Sequence, residues 1–325
     1  MTMFIFRARA KGTAQERRFA DVVRSYCCLM LLPALVCLSG PALAQDPSDS
    51  NGGSGPTSWP NLYFDLRTNY ASVPANTLSV GFSSPSLSTA IAALRALSDP
   101  SSLPRLSSFP APSSPSTQSV ALDVPLTVDV SDAVSLYGGF TASALQSGTS
   151  DWSSLAISSW NVGFQADLYQ QNGGSIPTIT LQTTITRSVP DSALATTSFN
   201  NIVEFDYALN EDETKGFLTG VQYTRINVDS SSATINPNTI GYLGGYYQWP
   251  NNWKFTGRAG VQSFGGAQLL NLATVPSFTQ PIVRFDLDRM DDNDNRLFGI
   301  TAQIAWTPKP AYQLTIRTPL YFVRN

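Results

Sequence analysis

Catalysis through a histidine base is closed to this chain, because none of its 325 residues is histidine. A serine activated by lysine is the remaining nucleophile arrangement to consider. Lys215, Lys254 and Lys309 stand isolated from one another in the sequence, and no Gly-rich phosphate loop is present. Asp288, Asp291, Asp292 and Asp294 crowd one turn and could hold Ca²⁺. They lack the D-x-D-x-D-G frame with its distal Glu, so a solvated turn is the better reading. No catalytic residue, metal or cofactor is therefore expected. What remains is a set of charges in strand-like surroundings. Asp167, Glu204 and Asp206 form an acidic group, and Lys254, Arg258, Arg284 and Arg317 form a basic one.

The segments that carry these charges alternate apolar and polar residues with period two, the mark of a strand with two unlike faces. The C-terminal hairpin is the clearest example. Phe298, Ile300, Ala302, Ile304 and Trp306 alternate with Gly299, Thr301, Gln303 and Ala305, and Thr307–Pro310 turns the chain. Tyr312, Leu314, Ile316, Thr318, Leu320 and Phe322 then alternate with Gln313, Thr315, Arg317 and Tyr321. The same pattern starts at Leu62–Tyr70 and recurs from Val120 onward, with Pro125 expected to mark a bend or bulge. The expected class is all-β, with about 12 strands in a range of roughly 10 to 14, an even number as in single-chain bacterial barrels.

Two architectures share this alternation. A soluble sandwich hides the apolar face in a core, whereas a barrel in lipid turns it outward and keeps a polar lumen. Connections decide for a transmembrane antiparallel β-barrel. Tight turns at 131–132, 171–174, 210–214, 250–252 and 290–295 alternate with long loops at 144–154, 188–198, 228–237 and 265–280. Trp160, Trp249, Trp253, Trp306, Phe199, Phe217, Tyr312 and Phe322 fall near strand ends, where aromatic girdles meet headgroups. Mean hydropathy near zero and 13% charged residues suit such a barrel, whose alternation averages out.

The N-terminal residues have the composition of a secretory signal peptide at 1–44. Arg7, Arg9, Lys11, Arg17, Arg18 and Arg24 precede the apolar run Cys27–Leu38, and Ala42-Leu43-Ala44 offers an A-x-A cleavage site. All three cysteines (Cys27, Cys28, Cys37) lie in this segment, so residues 45–325 have none for a disulfide. Without residues 1–44, 14 Lys/Arg stand against 21 Asp/Glu, an acidic balance that argues against nucleic acid as a partner. Residues 45–60 read as a flexible leader and 61–325 as the barrel. Within it, 84–119 is a Ser/Pro-rich loop or plug, with a short helix at Ser86–Ser98 set by Ile91, Leu94 and Leu97.

These features resemble those of Gram-negative outer-membrane β-barrels, whose last strand ends on an aromatic; here Phe322 is followed by three further residues. A narrower likeness lies in Gly174-Ser175-Ile176-Pro177, Leu181 and Arg187-Ser188-Val189-Pro190. It is similar to a passage in a family of outer-membrane channels associated with phenol-degradation pathways, whose Pro-Thr-Gly reads Pro190-Asp191-Ser192 here. The resemblance implies location in the outer membrane, contact with the bilayer and lipopolysaccharide, insertion by the barrel-assembly machinery, and passive transport of small, often aromatic, solutes. In that setting Asp167, Glu204 and Asp206 would line one side of the lumen, opposite Lys254, Arg258, Arg284 and Arg317. Such opposed stripes would set up a transverse field across a pore. The alternative is that the charges pair and close a structural barrel, which displays its long loops.

Overall fold

The computed structural model describes residues 61–75, 116–131, 133–189, 195–229, 233–269, 273–275, 277–291, 296–306 and 309–323. In chain order its strands are β1 (Asn61–Val73), β2 (Thr117–Ser131), β3 (Val134–Ser147), β4 (Ala156–Tyr169), β5 (Thr178–Ser188), β6 (Thr196–Ala208), β7 (Lys215–Val228), β8 (Ala233–Ile235), β9 (Asn238–Gln248), β10 (Trp253–Phe264), β11 (Ala267–Leu269), β12 (Ala273–Val275), β13 (Phe278–Met290), β14 (Arg296–Trp306) and β15 (Pro310–Val323). Twelve of them close into one antiparallel barrel, in the order β1-β15-β14-β13-β10-β9-β7-β6-β5-β4-β3-β2. Every barrel strand has 11 to 15 residues, enough to cross the apolar core of a bilayer at a tilt. Closure leaves no strand edge to face lipid.

Facing follows the alternation. On β7, Gly216, Leu218, Gly220, Gln222, Thr224 and Ile226 are buried, while Phe217, Thr219, Val221, Tyr223 and Arg225 between them are exposed. Leu136, Phe140, Val162, Leu243, Val261, Phe285 and Leu314 are likewise large, apolar and exposed, whereas Gln222, Gln262, Gln280, Gln303 and Gln313 are buried. The core of this molecule is thus polar and its surface apolar, the inverse of a soluble domain. It is a transmembrane β-barrel.

The ladder is adjusted where residue type requires it. Pro125 was expected to bend β2, yet β2 runs through it, with Gly139 of β3 directly opposite. A Cβ at Gly139 would come within 2.5 Å of the Val124 carbonyl, so the missing side chain makes the room. Towards β1 the pairing skips from Phe64–Leu126 to Arg67–Asp123, and on the other flank of β1 Pro319 sits opposite Asp65 at a register shift. Both prolines therefore meet β1 where donors are dispensable.

Loop lengths alternate less regularly than the sequence suggests, since 148–155 and 170–177 each leave eight residues between strands. Two of the long loops are not plain loops. β8, from the β7–β9 connection, pairs with β11, and β11 pairs with β12 to make a three-stranded sheet. The Asn236 amide donates to the Gly266 carbonyl and the Gly265 amide to that of Pro237, carrying the β9–β10 ladder into this sheet. The signal segment, the leader, the helix at Ser86–Ser98 and nearly all of 84–119 lie outside the described residues. The last residues of that expected loop, 117–119, belong to β2.

Candidate functional site

The inward faces of the strands carry the buried polar side chains of the described residues, and they are layered. Towards the rim that bears β8, β11 and β12 lies a layer of amides: Asn200, Gln222, Asn238, Gln262, Gln280, Gln303, Gln313 and Asn69, all buried. They come from β6, β7, β9, β10, β13, β14, β15 and β1, which are consecutive around the barrel. Gln280 donates to Gln262 at 2.6 Å and Gln262 to Asn238 at 2.8 Å. Gln222 donates to Asn200 at 2.9 Å. Ile240, Ile282 and Ala305 are buried on the same inward phases.

Charges occupy the next level down. Arg258 of β10 reaches the Glu204 carboxylate of β6 at 3.3 Å and the Asp286 carboxylate of β13 at 2.8 Å. Asp286 also accepts from Arg284 at 2.8 Å and from the Thr301 hydroxyl at 2.6 Å. Asp65 of β1 is paired with Arg317 of β15 and, at 3.8 Å, with Arg67 of its own strand. Asp288 and Arg296 pair at 2.9 Å. Asp123 of β2 accepts from Thr141 and Asn161 on the two strands beyond it.

Tyrosines carry the contacts across the wall where strands without inward charges intervene. Tyr242 of β9 lies directly opposite Gly220 of β7, and Tyr246 opposite Gly216. A Cβ on either glycine would come within 2.5 Å of the tyrosine hydroxyl, so each ring lies flat over a glycine. From there Tyr242 donates to Glu204 at 2.7 Å and Tyr246 bonds Asp206, both on β6. On the far side the Lys254 ammonium sits 4.5 Å from the Tyr246 ring centre and the Arg258 guanidinium 6.0 Å from that of Tyr242. The unit cation, tyrosine, glycine, carboxylate thus occurs twice across β10, β9, β7 and β6. Tyr137 of β3 repeats the ring-over-glycine part with Gly163 of β4, its hydroxyl meeting the Thr183 carbonyl at 3.0 Å.

The seven charges expected along the lumen all lie on inward phases. Asp167 accepts from Thr180 at 2.9 Å, and Glu204, Asp206, Lys254, Arg258, Arg284 and Arg317 make the contacts just given. Their arrangement differs from two opposed bare stripes. Asp286 and Asp65 stand among the arginines, and Arg258 spans three strands to Glu204, so the basic side is largely neutralised by its own carboxylates. Strand alternation located each side chain on a face but gave no account of which strands would be neighbours. Asp65, Arg67, Asp123, Asp286, Asp288 and Arg296 were not expected at the site. The signal for the first three was their polar phase on strands with apolar opposite faces. Asp288, read as part of a solvated turn, is instead buried against Arg296; Asp292 and Asp294 lie outside the described residues.

No protein-family model matches the chain, and no curated protein sequence does. Solved structures match in fold. An outer-membrane channel from Pseudomonas putida F1 aligns over 85% of this chain and 100% of its own, at 11% identity and a TM-score of 0.48. The translocator domain of the autotransporter NalP from Neisseria meningitidis aligns over 92% and 97%, at 10% identity and 0.40. The CymD monoaromatic hydrocarbon channel aligns over 80% and 87%, at 9% identity and 0.37. The likeness is one of barrel architecture.

Proposed function

We propose that the protein is a passive channel of the outer membrane, exported with cleavage after Ala44, and that its lumen charges set which small solutes pass. The observation that carries the reading is Gln165. It shares the phase of Asn161, Gly163 and Asp167 on β4, opposite to that of the lipid-facing Trp160 and Val162, and is itself exposed. Arg67, Arg284 and Arg317 are also inward and partly exposed. Accessible polar side chains inside a closed wall are what a pore requires, and a barrel of twelve strands lies between filled eight-stranded and open sixteen-stranded ones. The likeness at 174–190 supports small, often aromatic, solutes. Assembly by the barrel-assembly machinery and contact with lipopolysaccharide belong to the same reading. No enzymatic role is proposed.

Conductance tests it. Purified protein in a planar bilayer should pass discrete current steps in KCl, and silence under conditions where a known porin conducts would sink the reading. A second reading, a closed structural barrel, is favoured by the amide layer, where Asn238, Gln262 and Gln280 have essentially no exposure. It predicts that silent outcome.

A further inference from the structure

We infer that the arginines on the β13–β14–β15–β1 arc of the lumen dock a small organic carboxylate; the inference rests on the channel reading and names its solute class. It begins with an asymmetry inside the ion pairs. In each pair on this arc the guanidinium is the partner that meets solvent and the carboxylate lies beneath it. Side-chain exposure is 38% for Arg67 against 4% for Asp65, and 23% for Arg317 against the same Asp65. It is 29% for Arg284 against 8% for Asp286, and 39% for Arg296 against 10% for Asp288. The pair of Arg258 with Glu204, nearer the opposite wall, reverses the order. Four arginines share three carboxylates on this arc, and the arginines are the more exposed: a solute in the lumen meets donors first.

The second observation is a pair of adjacent guanidinium groups at one point. Arg67 and Arg317 are direct partners across the β1–β15 ladder, a like-charge juxtaposition that is unfavourable unless an anion lies between them. One carboxylate, Asp65, is shared by both guanidinium groups, whose Nε atoms are buried while the side chains as a whole keep 38% and 23% exposure. Asp123 lies opposite Arg67 on β2 and accepts from Thr141 and Asn161 through Oδ1. Gly299 of β14 faces Arg317 without a side chain, and the Asp288–Arg296 pair lies over it. Two adjacent, partly exposed guanidinium groups that share one buried carboxylate match a planar carboxylate, which accepts two parallel hydrogen bonds from a guanidinium.

On the other wall the carboxylates are capped: Glu204 by Tyr242 and Arg258, Asp206 by Tyr246 and Asp167 by Thr180. They hold less attraction for a cation than their number suggests.

Calorimetry on the folded, detergent-purified protein tests this with benzoate and, as its neutral isostere, benzamide. Benzoate should bind and benzamide should not. Arg67→Gln should weaken benzoate at least about tenfold, the scale of one lost charge-assisted fork. Arg67→Lys, which keeps the charge and leaves Asp65 paired, should fall between. Arg225→Gln, which removes a charge from the outward face, should bind like the parent. Absence of benzoate binding, equal binding of benzamide, or equal loss in Arg225→Gln overturns the inference. The channel reading fails separately. A protein that binds benzoate but is silent in the bilayer keeps the site and loses the channel, whereas one that conducts KCl and ignores benzoate loses the site.

Discussion

Each inward tyrosine described here occupies space that a single missing Cβ provides, and each acidic group that it or an arginine meets is only partly wet. Gly220→Ala places a methyl where the Tyr242 hydroxyl lies and breaks its bond to Glu204. A cost of about 1–3 kcal/mol, the usual range for overpacking, should appear as a lower unfolding temperature in a gel-shift assay. Gly241→Ala is the control, because a Cβ there meets nothing within 4 Å. Equal effects of the two would remove the tyrosine from the account. Asp286→Asn is the harsher change, since it takes the shared carboxylate from Arg258 and Arg284. Solvated lumen charges would be lost with little effect on stability. With this pairing, a loss of about 3 kcal/mol is expected, at the low end for a buried ion pair because the arginines keep some water. An unchanged unfolding temperature would return the lumen to independent, solvated charges. Alternation in sequence was enough to put Arg258 and Glu204 inside. It held nothing about Gly220 and Tyr242, whose relation exists only once β7 and β9 are in register.

Strands were the legible level of this molecule. Phase assigned Val162, Ile300 and Leu181 to the lipid side and Gln303 to the inside, because a barrel in lipid repeats one rule on every strand. The misses have physical causes. β8, β11 and β12 are three residues each, shorter than any periodicity can register, and they exist through pairing between two distant loops. Pro125 was read as a break because the compensating residue, Gly139, belongs to the next strand. Facing yields a prediction that depends on depth and wetness. Val162→Arg and Leu243→Arg, both on exposed apolar positions, should each hinder assembly by roughly 2–4 kcal/mol near the midplane. Gln165→Arg should be tolerated, because that inward position is wet. Gln303→Arg, although inward, should not be, since Gln303 is buried in the amide layer. Trypsin resistance of refolded protein separates the outcomes. Tolerance of arginine at Val162 would mean that this face does not meet lipid.

At the scale of the whole molecule, everything depends on closure between the first and last strands, which lie more than 230 residues apart in sequence along β1 and β15. Closure brings Arg317 to Asp65 and Arg67, and so builds the arginine arc; an open sheet would leave β1 and β15 as unpaired edges. No sequence pattern states that β1 pairs with β15 in a given register, because each strand's alternation is satisfied by any even slip. The register is therefore the sharpest whole-molecule test, and residues 45–325 are suited to it because they contain no cysteine. Asn69 and Thr315 are direct partners, both inward, with the Thr315 hydroxyl bonded to the Asn69 amide oxygen. Cysteines at these two positions should oxidise to a disulfide in the folded barrel, since directly opposed Cβ atoms approach disulfide distance. Asn69→Cys with Ile316→Cys should not, because Ile316 points to the lipid side. Thiol labelling after denaturation distinguishes the two. A disulfide from Asn69→Cys to Gln313→Cys in place of Thr315→Cys would shift the seam by two residues, separating Arg317 from Arg67 and dissolving the site that their pairing creates.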